Sequence, residues 1–399
     1  MIPLEEARDH VIGAVRPLDP TVLPLTDALG LVLVNDVASS EAVPPFANTA
    51  MDGFAVQAAD TAAAPTTLDV VGTIAAGDTG DIPVGPGQAA RIMTGAPLPP
   101  GADAIIMVEL TTLADDGATV DIAEAVPEGN HVRSAGEDIE PGDTVFEAGT
   151  VITPGHLGVL ASLGRFEVEV RPRPRVGVIS TGDELVDGPE PLKHGQIRDS
   201  NRRTLLALLD ESGFERVDLG LVPDDKDALT EAIQNATTTC DALMSSGGVS
   251  MGAFDYVKVV LDEIGEMRWM QIAIKPAKPM AFGFVGDMPV FGLPGNPVSS
   301  MVSYELFARP ALRKMAGHTQ LDRPWVEAIA GQDLLRRPDG KIHFARVVSE
   351  YIDGDYRLRF AGGQGSHQLR AMADANALAV VPDGDGVAEG GTITAILLD

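Results

Sequence analysis

Between about residues 174 and 316, short apolar runs alternate with amphipathic stretches, and this alternation constrains the fold more than any other feature. V-G-V-I-S-T (176–181) reads as a buried strand, followed by S-N-R-R-T-L-L-A-L-L-D-E-S-G, a helix opened at Ser200 and stopped at Gly213. V-D-L-G-L-V then precedes D-D-K-D-A-L-T-E-A-I-Q-N-A, and D-A-L-M-S precedes Y-V-K-V-V-L-D-E-I. Strands alternating with helices imply right-handed βαβ units and a mainly parallel sheet. Ligands of such sheets bind beyond the carboxyl ends of the strands.

The flanking regions read differently. The N-terminal L-E-E-A-R-D-H-V-I-G-A-V repeats Leu4, Ala7, Val11 and Val15 at helical spacing. From Leu68 to about Val132, β-branched runs alternate with Gly/Pro turns, as in a small β-rich domain. Asp143 to Val170 holds further short strands and one helical stretch, and R-P-R-P-R (171–175) reads as a stiff, solvated linker. After Trp325 five strand patterns predict a C-terminal β-barrel-like domain. The fold class expected is multidomain α/β plus β. The boundaries are 1–40 with 139–173, 41–138, 174–316 and 317–399.

At 399 residues the chain exceeds what one core supports. With 45% hydrophobic and 22% charged residues it has a globular composition. The N-terminus is acidic where a secretory signal needs basic residues, and no apolar run approaches 20 residues, so a cytoplasmic protein is expected. Cys240 is the single cysteine, read as a buried thiol inside a strand-like stretch. A net charge of −29 argues against nucleic acid and anionic membranes as partners.

Against that charge, Ser245–Ser300 has the marks of an anion site. S-S-G-G-V-S-M-G follows a strand and opens a helix, so Gly247, Gly248 and Ser250 either cradle a phosphate or form a tight turn. It fits neither the dinucleotide fingerprint nor the P-loop. Asp255 is a first-turn acid or a Mg²⁺ ligand. Asp183 and Glu184 in T-G-D-E-L-V, and Asp224 and Asp225 in V-P-D-D, reach the same sheet edge. Each acid is an N-cap or part of a hydrated metal site. In K-P-A-K-P the prolines should hold Lys275 and Lys278 on an extended backbone, for anion binding or as surface charge. G-L-P-G-N-P-V-S-S places Asn296 as N-cap, Pro297 at the first helical position and Ser299 in the first turn. Asp52, Thr94, Arg133, Asp138, Arg346 and Ser366 lie in polar or glycine-rich stretches that mean little singly. The seven histidines show no metal-ligand spacing.

The ordered set P-P-F-A-N-T-A-M-D-G-F-A-V, R-I-M-T-G-A, G-E-D-I, S-T-G-D-E-L, S-G-G-V-S-M-G-A-F-D-Y, K-P-A-K-P and G-L-P-G-N-P-V-S-S resembles the molybdopterin molybdenumtransferases. That family includes the bacterial enzyme and the E domains of gephyrin and its plant counterpart, and the resemblance spans nearly the whole chain. It implies Mg²⁺-dependent insertion of molybdate into adenylylated molybdopterin, with release of AMP, by a homodimer with shared active sites. It implies that Gly247, Gly248, Ser250 and Asp255 face nucleotide and pyrophosphate, with Asn296 and Ser299 also binding substrate. Glu184, Asp224 and Asp255 would hold the metal; Lys275, Lys278, Arg346 and Ser366 would hold molybdate. Asp52, Thr94, Arg133 and Asp138 would reach in from the partner subunit. The adenylyltransferase of the preceding step is a possible further partner. Rival readings are that adenylylation step itself, tungstate in place of molybdate, and a non-catalytic scaffold. Ala277 stands where the family commonly has glycine, which reads as a small change.

Overall fold

The computed structural model describes residues 1–248 and 256–398. The chain divides into two compact units, Met1–Val22 with Gly30–Val34 and Glu169–Asp399, and Leu23–Leu29 with Asn35–Val168.

The smaller unit is built on a six-stranded sheet. Its spatial order is Ala104–Met107, Gly53–Val56, Gln88–Ile92, Thr66–Ile74, Thr119–Ile122 and Thr111–Leu113. Side chains alternate between two buried faces, with Phe54, Val56 and Ile106 on one and Ala55, Ile92 and Ile105 on the other. Gly53 is required by packing, because a Cβ there would lie 1.9 Å from the Ile106 carbonyl oxygen.

The larger unit holds the mainly parallel sheet, in the order Glu215–Val222, Arg175–Thr181, Ala242–Ser246, Met288–Leu293, Pro279–Val285 and Glu266–Gln271. The first four strands are parallel and the last two add an antiparallel edge. The expected helices appear at Asn201–Glu211, Lys226–Thr239 and Tyr256–Ile264. The N-terminal helix Leu4–Ala14 buries Leu4, Ala7 and Val11 in the same core as Val176 and Phe282. After the sheet, Pro297–Ser303, a π-helical turn at Tyr304–Ala308 and Arg309–Met315 run on as one helical segment.

The five C-terminal strand patterns close on themselves. Trp325–Ala330 pairs with Asp355–Phe360 and Thr392–Leu397, Ile342–Ile352 pairs with Asp355–Phe360 and Ala377–Val381, and Ala377–Val381 pairs with Thr392–Leu397. This is a closed five-stranded barrel, and closure removes the exposed edges.

Four local expectations change. The Arg171–Arg175 run is not a free linker: Arg171 donates to the Leu18 carbonyl at 2.5 Å, and Arg175 pairs with Asp241 at 2.9 Å. Cys240 is buried but ends the helix Lys226–Thr239 rather than lying within a strand, and burial pushes its thiol pKa up. Ser200 occupies the N-cap position without a capping side-chain bond, and Asp199 accepts from the Arg202 amide at 3.2 Å instead. K-P-A-K-P does not run extended throughout, since Ala277 has φ 72°. Proline restrains the residue before it, here Lys275 and Lys278, and leaves Ala277 able to turn.

That turn puts strain on Ala277 that a glycine would not carry. It is 2% exposed and sits in the left-handed region, where a Cβ costs about 1–2 kcal/mol. Ala277→Gly should be close to neutral, because relieved strain offsets the lost methyl and the greater unfolded-state freedom of glycine. Ala277→Val should destabilise by about 2–4 kcal/mol, since a β-branched side chain tolerates neither that φ nor the closed packing. Denaturant melts of the two variants check the pair, and a Val variant as stable as the parent would refute it.

Candidate active site

The parallel strands deliver their loops to one edge. Gly247 donates to the Leu293 carbonyl at 3.0 Å, so the loop after Ala242–Ser246 lies against the loop after Met288–Leu293. Gly248 has φ 76°, and a Cβ there would lie 2.4 Å from Val257 Cβ. Glycine therefore brings backbone to the start of the helix Tyr256–Ile264 where no side chain fits. Ser250 and Asp255 lie outside the described residues.

Across the edge, the two acids of V-P-D-D separate in role. Asp225 is the N-cap of Lys226–Thr239 and accepts from the Asp227 and Ala228 amides, each at 3.0 Å. That leaves Asp224 to face the site, with Thr181 Oγ1 donating to it at 3.4 Å. Burial raises the Asp224 pKa, and the charges of Asp183 and Glu184 raise it further against the opposing Thr181 bond. Three carboxylates thus crowd one sheet edge. Among the described residues no group of three His, Cys, Asp or Glu side chains is drawn together closely enough to enclose a metal ion. The donor set still suits a hard cation with oxygen ligands, whose charge would relieve the crowding around Asp224.

The loop that carries Asp183 and Glu184 is anchored by a residue that sequence reading passed over. Arg202, 2% exposed, binds Asp199 at 2.9 Å, Asp218 at 2.5 and 2.7 Å, and Asp187. Burial alone would lower its pKa, and the three carboxylates raise it. Neighbouring Asn201 donates to the Gly295 carbonyl at 2.8 Å, while its own buried Oδ1 has no partner among the described residues. The D-S-N-R-R run was the available signal, but its pattern says only that a helix begins there.

Asn296 stands at the N-cap position with Pro297 first in the helix, yet its side chain makes no capping bond. The Ser366 carbonyl accepts from the Val298 amide at 3.2 Å instead, which places Ser366 against the helix start. Ser299 is buried in that first turn. Arg346 reaches the same Ser366 loop, donating through Nη2 to the Gly363 and Gly365 carbonyls at 3.2 Å each. Its side chain makes no ion pair among the described residues, its Nε has no partner, and burial lowers its pKa. Arg346 is 1% exposed, so it is a desolvated cation without a counter-charge among the described residues. It lines a cavity of about 390 Å³ with Lys275 and Gln364. Lys275 enters there because Ile274–Lys275 pairs in parallel with Ile342–His343 of the barrel. Lys278 is exposed near the turn and does not line that cavity.

Asp52, Thr94, Arg133 and Asp138 all fall in the smaller unit. Asp52 precedes Gly53–Val56 and Thr94 follows Gln88–Ile92, its antiparallel neighbour. Thr94 accordingly donates its amide and hydroxyl to Asp52 Oδ1 at 2.6 and 2.7 Å, and these bonds hold the Asp52 pKa below the usual range. Arg133 pairs with Asn48 and the Asp138 amide donates to the Val43 carbonyl, so both flank the segment that leads to Asp52.

Family models cover most of the chain. The MoeA N-terminal region (domain I and II) matches residues 2–164, a probable molybdopterin binding domain matches 177–314, and the MoeA C-terminal region (domain IV) matches 331–398. A molybdopterin molybdenumtransferase of Haemophilus influenzae is 39% identical over 99% of this chain and 98% of its own length. One from Bacillus subtilis is 32% identical over 100% and 94%. The crystal structure of a molybdopterin biosynthesis moeA protein from Pyrococcus horikoshii superposes with a TM-score of 0.81 at 31% identity, covering 100% of this chain and 99% of that one. The chain therefore belongs to the MoeA family of molybdopterin molybdenumtransferases and has a role in molybdenum cofactor biosynthesis.

Proposed function

We propose that this chain inserts molybdate into adenylylated molybdopterin with release of AMP, in a Mg²⁺-dependent reaction, and that it does so as a homodimer. The observation that carries the reading is Arg346, a buried guanidinium without a carboxylate partner among the described residues. Such a group is costly unless an anion arrives. Molybdate is an oxyanion of suitable charge, and Lys275 lines the same cavity. At the sheet edge, the Gly247–Gly248 backbone offers the close approach that a pyrophosphate needs. Glu184 and Asp224, with Asp255, would hold Mg²⁺, which when bound neutralises phosphate charge as AMP leaves. Lys278 and Lys275 add cationic charge for the same purpose.

Asp52, Thr94, Arg133 and Asp138 belong to the smaller unit, and in this reading the partner subunit supplies them to complete each site. The reading is tested with adenylylated molybdopterin, Mg²⁺ and molybdate, by following AMP. Molybdate-dependent AMP release is expected, and none above the no-enzyme control would overturn the assignment. Subunit sharing has its own test. Asp52→Ala and Lys278→Ala should each be inactive alone, and mixing them through a denaturation–renaturation step should restore about a quarter of wild-type activity, because half the dimers are mixed and each carries one intact site. No recovery on mixing would place both residues in one subunit's site.

A further inference from the structure

The cavity around Arg346 contains more positive charge than the residues already assigned to it. Its lining also includes Arg336, Arg337, Asp339 and His343. Arg336 is part of the wall: it donates to the Lys341 and Pro382 carbonyls at 2.6 and 3.1 Å and pairs with Asp339 and Asp383. Asp339 is the one carboxylate among the described lining residues, and it is already shared. Lys341 and His343 both reach it at 3.1 Å. Burial would raise the Asp339 pKa, but the bonds from His343 and Lys341 hold it down at about 2, so it stays ionised and bound to its partners.

Three cations therefore line this cavity without an ion pair among the described residues: Lys275, Arg337 and Arg346. They do so in a chain of net charge −29, whose general field repels anions. Arg346 is buried, whereas Lys275 and Arg337 are exposed. Arg337 stands between Arg336, which is fixed by its bonds, and Pro338, which restricts the backbone before it. An exposed guanidinium on a fixed backbone at the edge of a cationic cavity attracts a dianion from a distance, and salt weakens that attraction.

We propose that Arg337 is the oxyanion-collecting residue of this site, drawing molybdate from solution towards Lys275 and Arg346. The inference rests on the molybdate reading of the cavity given above. It adds a residue whose contribution is to capture, and so to apparent affinity, rather than to the chemical step.

The test is equilibrium dialysis of labelled molybdate against the full-length protein at about 20 mM and about 500 mM salt, with AMP in a parallel arm. Arg337→Glu should weaken molybdate binding about tenfold at low salt and less than about threefold at high salt. Arg337→Lys should bind nearly as wild type does. In turnover assays the Glu variant should raise KM for molybdate. Unchanged molybdate binding by Arg337→Glu at low salt would overturn the proposal. So would an equal loss at both salts, which would indicate altered structure, or a loss confined to AMP. If the wild-type protein itself takes up no molybdate, the reading of the cavity falls and the collector with it. Wild-type uptake with an unaffected Glu variant removes the collector alone.

Discussion

Asp224→Asn should reduce molybdate-dependent AMP release at least a hundredfold while leaving the fold intact. The carboxylate is expected to be a Mg²⁺ ligand, and loss of such a charge from a phosphoryl-transfer site removes several kcal/mol of transition-state stabilisation. The asparagine keeps an Oδ1 that can accept from Thr181, so the local packing survives. Its effect on stability has a predictable sign. The folded-state pKa of Asp224 is raised, first by burial and then by Asp183 and Glu184. A group with a raised folded pKa contributes stability below its unfolded pKa, and that contribution is lost as pH rises through the folded value. At neutral pH the ionised form is therefore unfavourable to the fold, and the neutral asparagine should not lower Tm in metal-free buffer. Adding Mg²⁺ should raise the Tm of the wild type and not that of the variant. An equal Mg²⁺ shift in both proteins would remove Asp224 from the metal site even if activity fell.

Arg346→Met should separate function from stability in the same way at the other subsite. Removal of the buried guanidinium should lower activity by about 10²–10³, the loss seen when one preorganised donor to a developing or bound anion is deleted. A buried charge without a counter-ion is a burden on the fold, and a hydrophobic replacement of similar volume is often neutral or stabilising. Against this, the Gly363 and Gly365 carbonyls lose their Nη2 donor, at about 1 kcal/mol each. The two contributions nearly cancel, so Tm should stay within a few degrees of wild type. A collapse in Tm would mean that the guanidinium is structural. Unchanged activity in a stable protein would remove Arg346 from the anion site.

Much of this architecture could be read from the chain. The strand–helix alternation after residue 174 predicted the parallel sheet, because a two-residue period and a 3.6-residue period cannot be satisfied by one backbone geometry. The five C-terminal strands were each visible as apolar alternation, although nothing in the pattern specified that Ile342–Ile352 would pair with Ala377–Val381 and close the ring. The candidate carboxylates and lysines were visible as residue types. Their surroundings were not: V-P-D-D offered two acids for one cap, and only the helix geometry assigned Asp225 to the cap and left Asp224 bonded to Thr181 near Asp183 and Glu184.

What the sequence determined by itself was the order of elements, the loops that end at one sheet edge, and the motifs that mark the family. These are local or short-range properties, set by side-chain periodicity and by the backbone limits of glycine and proline. What only the tertiary structure decided was charge compensation. Whether Arg346 has an acidic partner, whether Arg202 is enclosed by Asp187, Asp199 and Asp218, and whether Lys341 and His343 turn towards Asp339 all depend on the folded backbone, even where the partners are close in sequence. Burial lowers the effective dielectric and makes each such pairing, or its absence, energetically decisive. A lone arginine in a strand pattern looks the same in sequence whether it is paired or not. The fold leaves Arg346 buried without a counter-charge among the described residues.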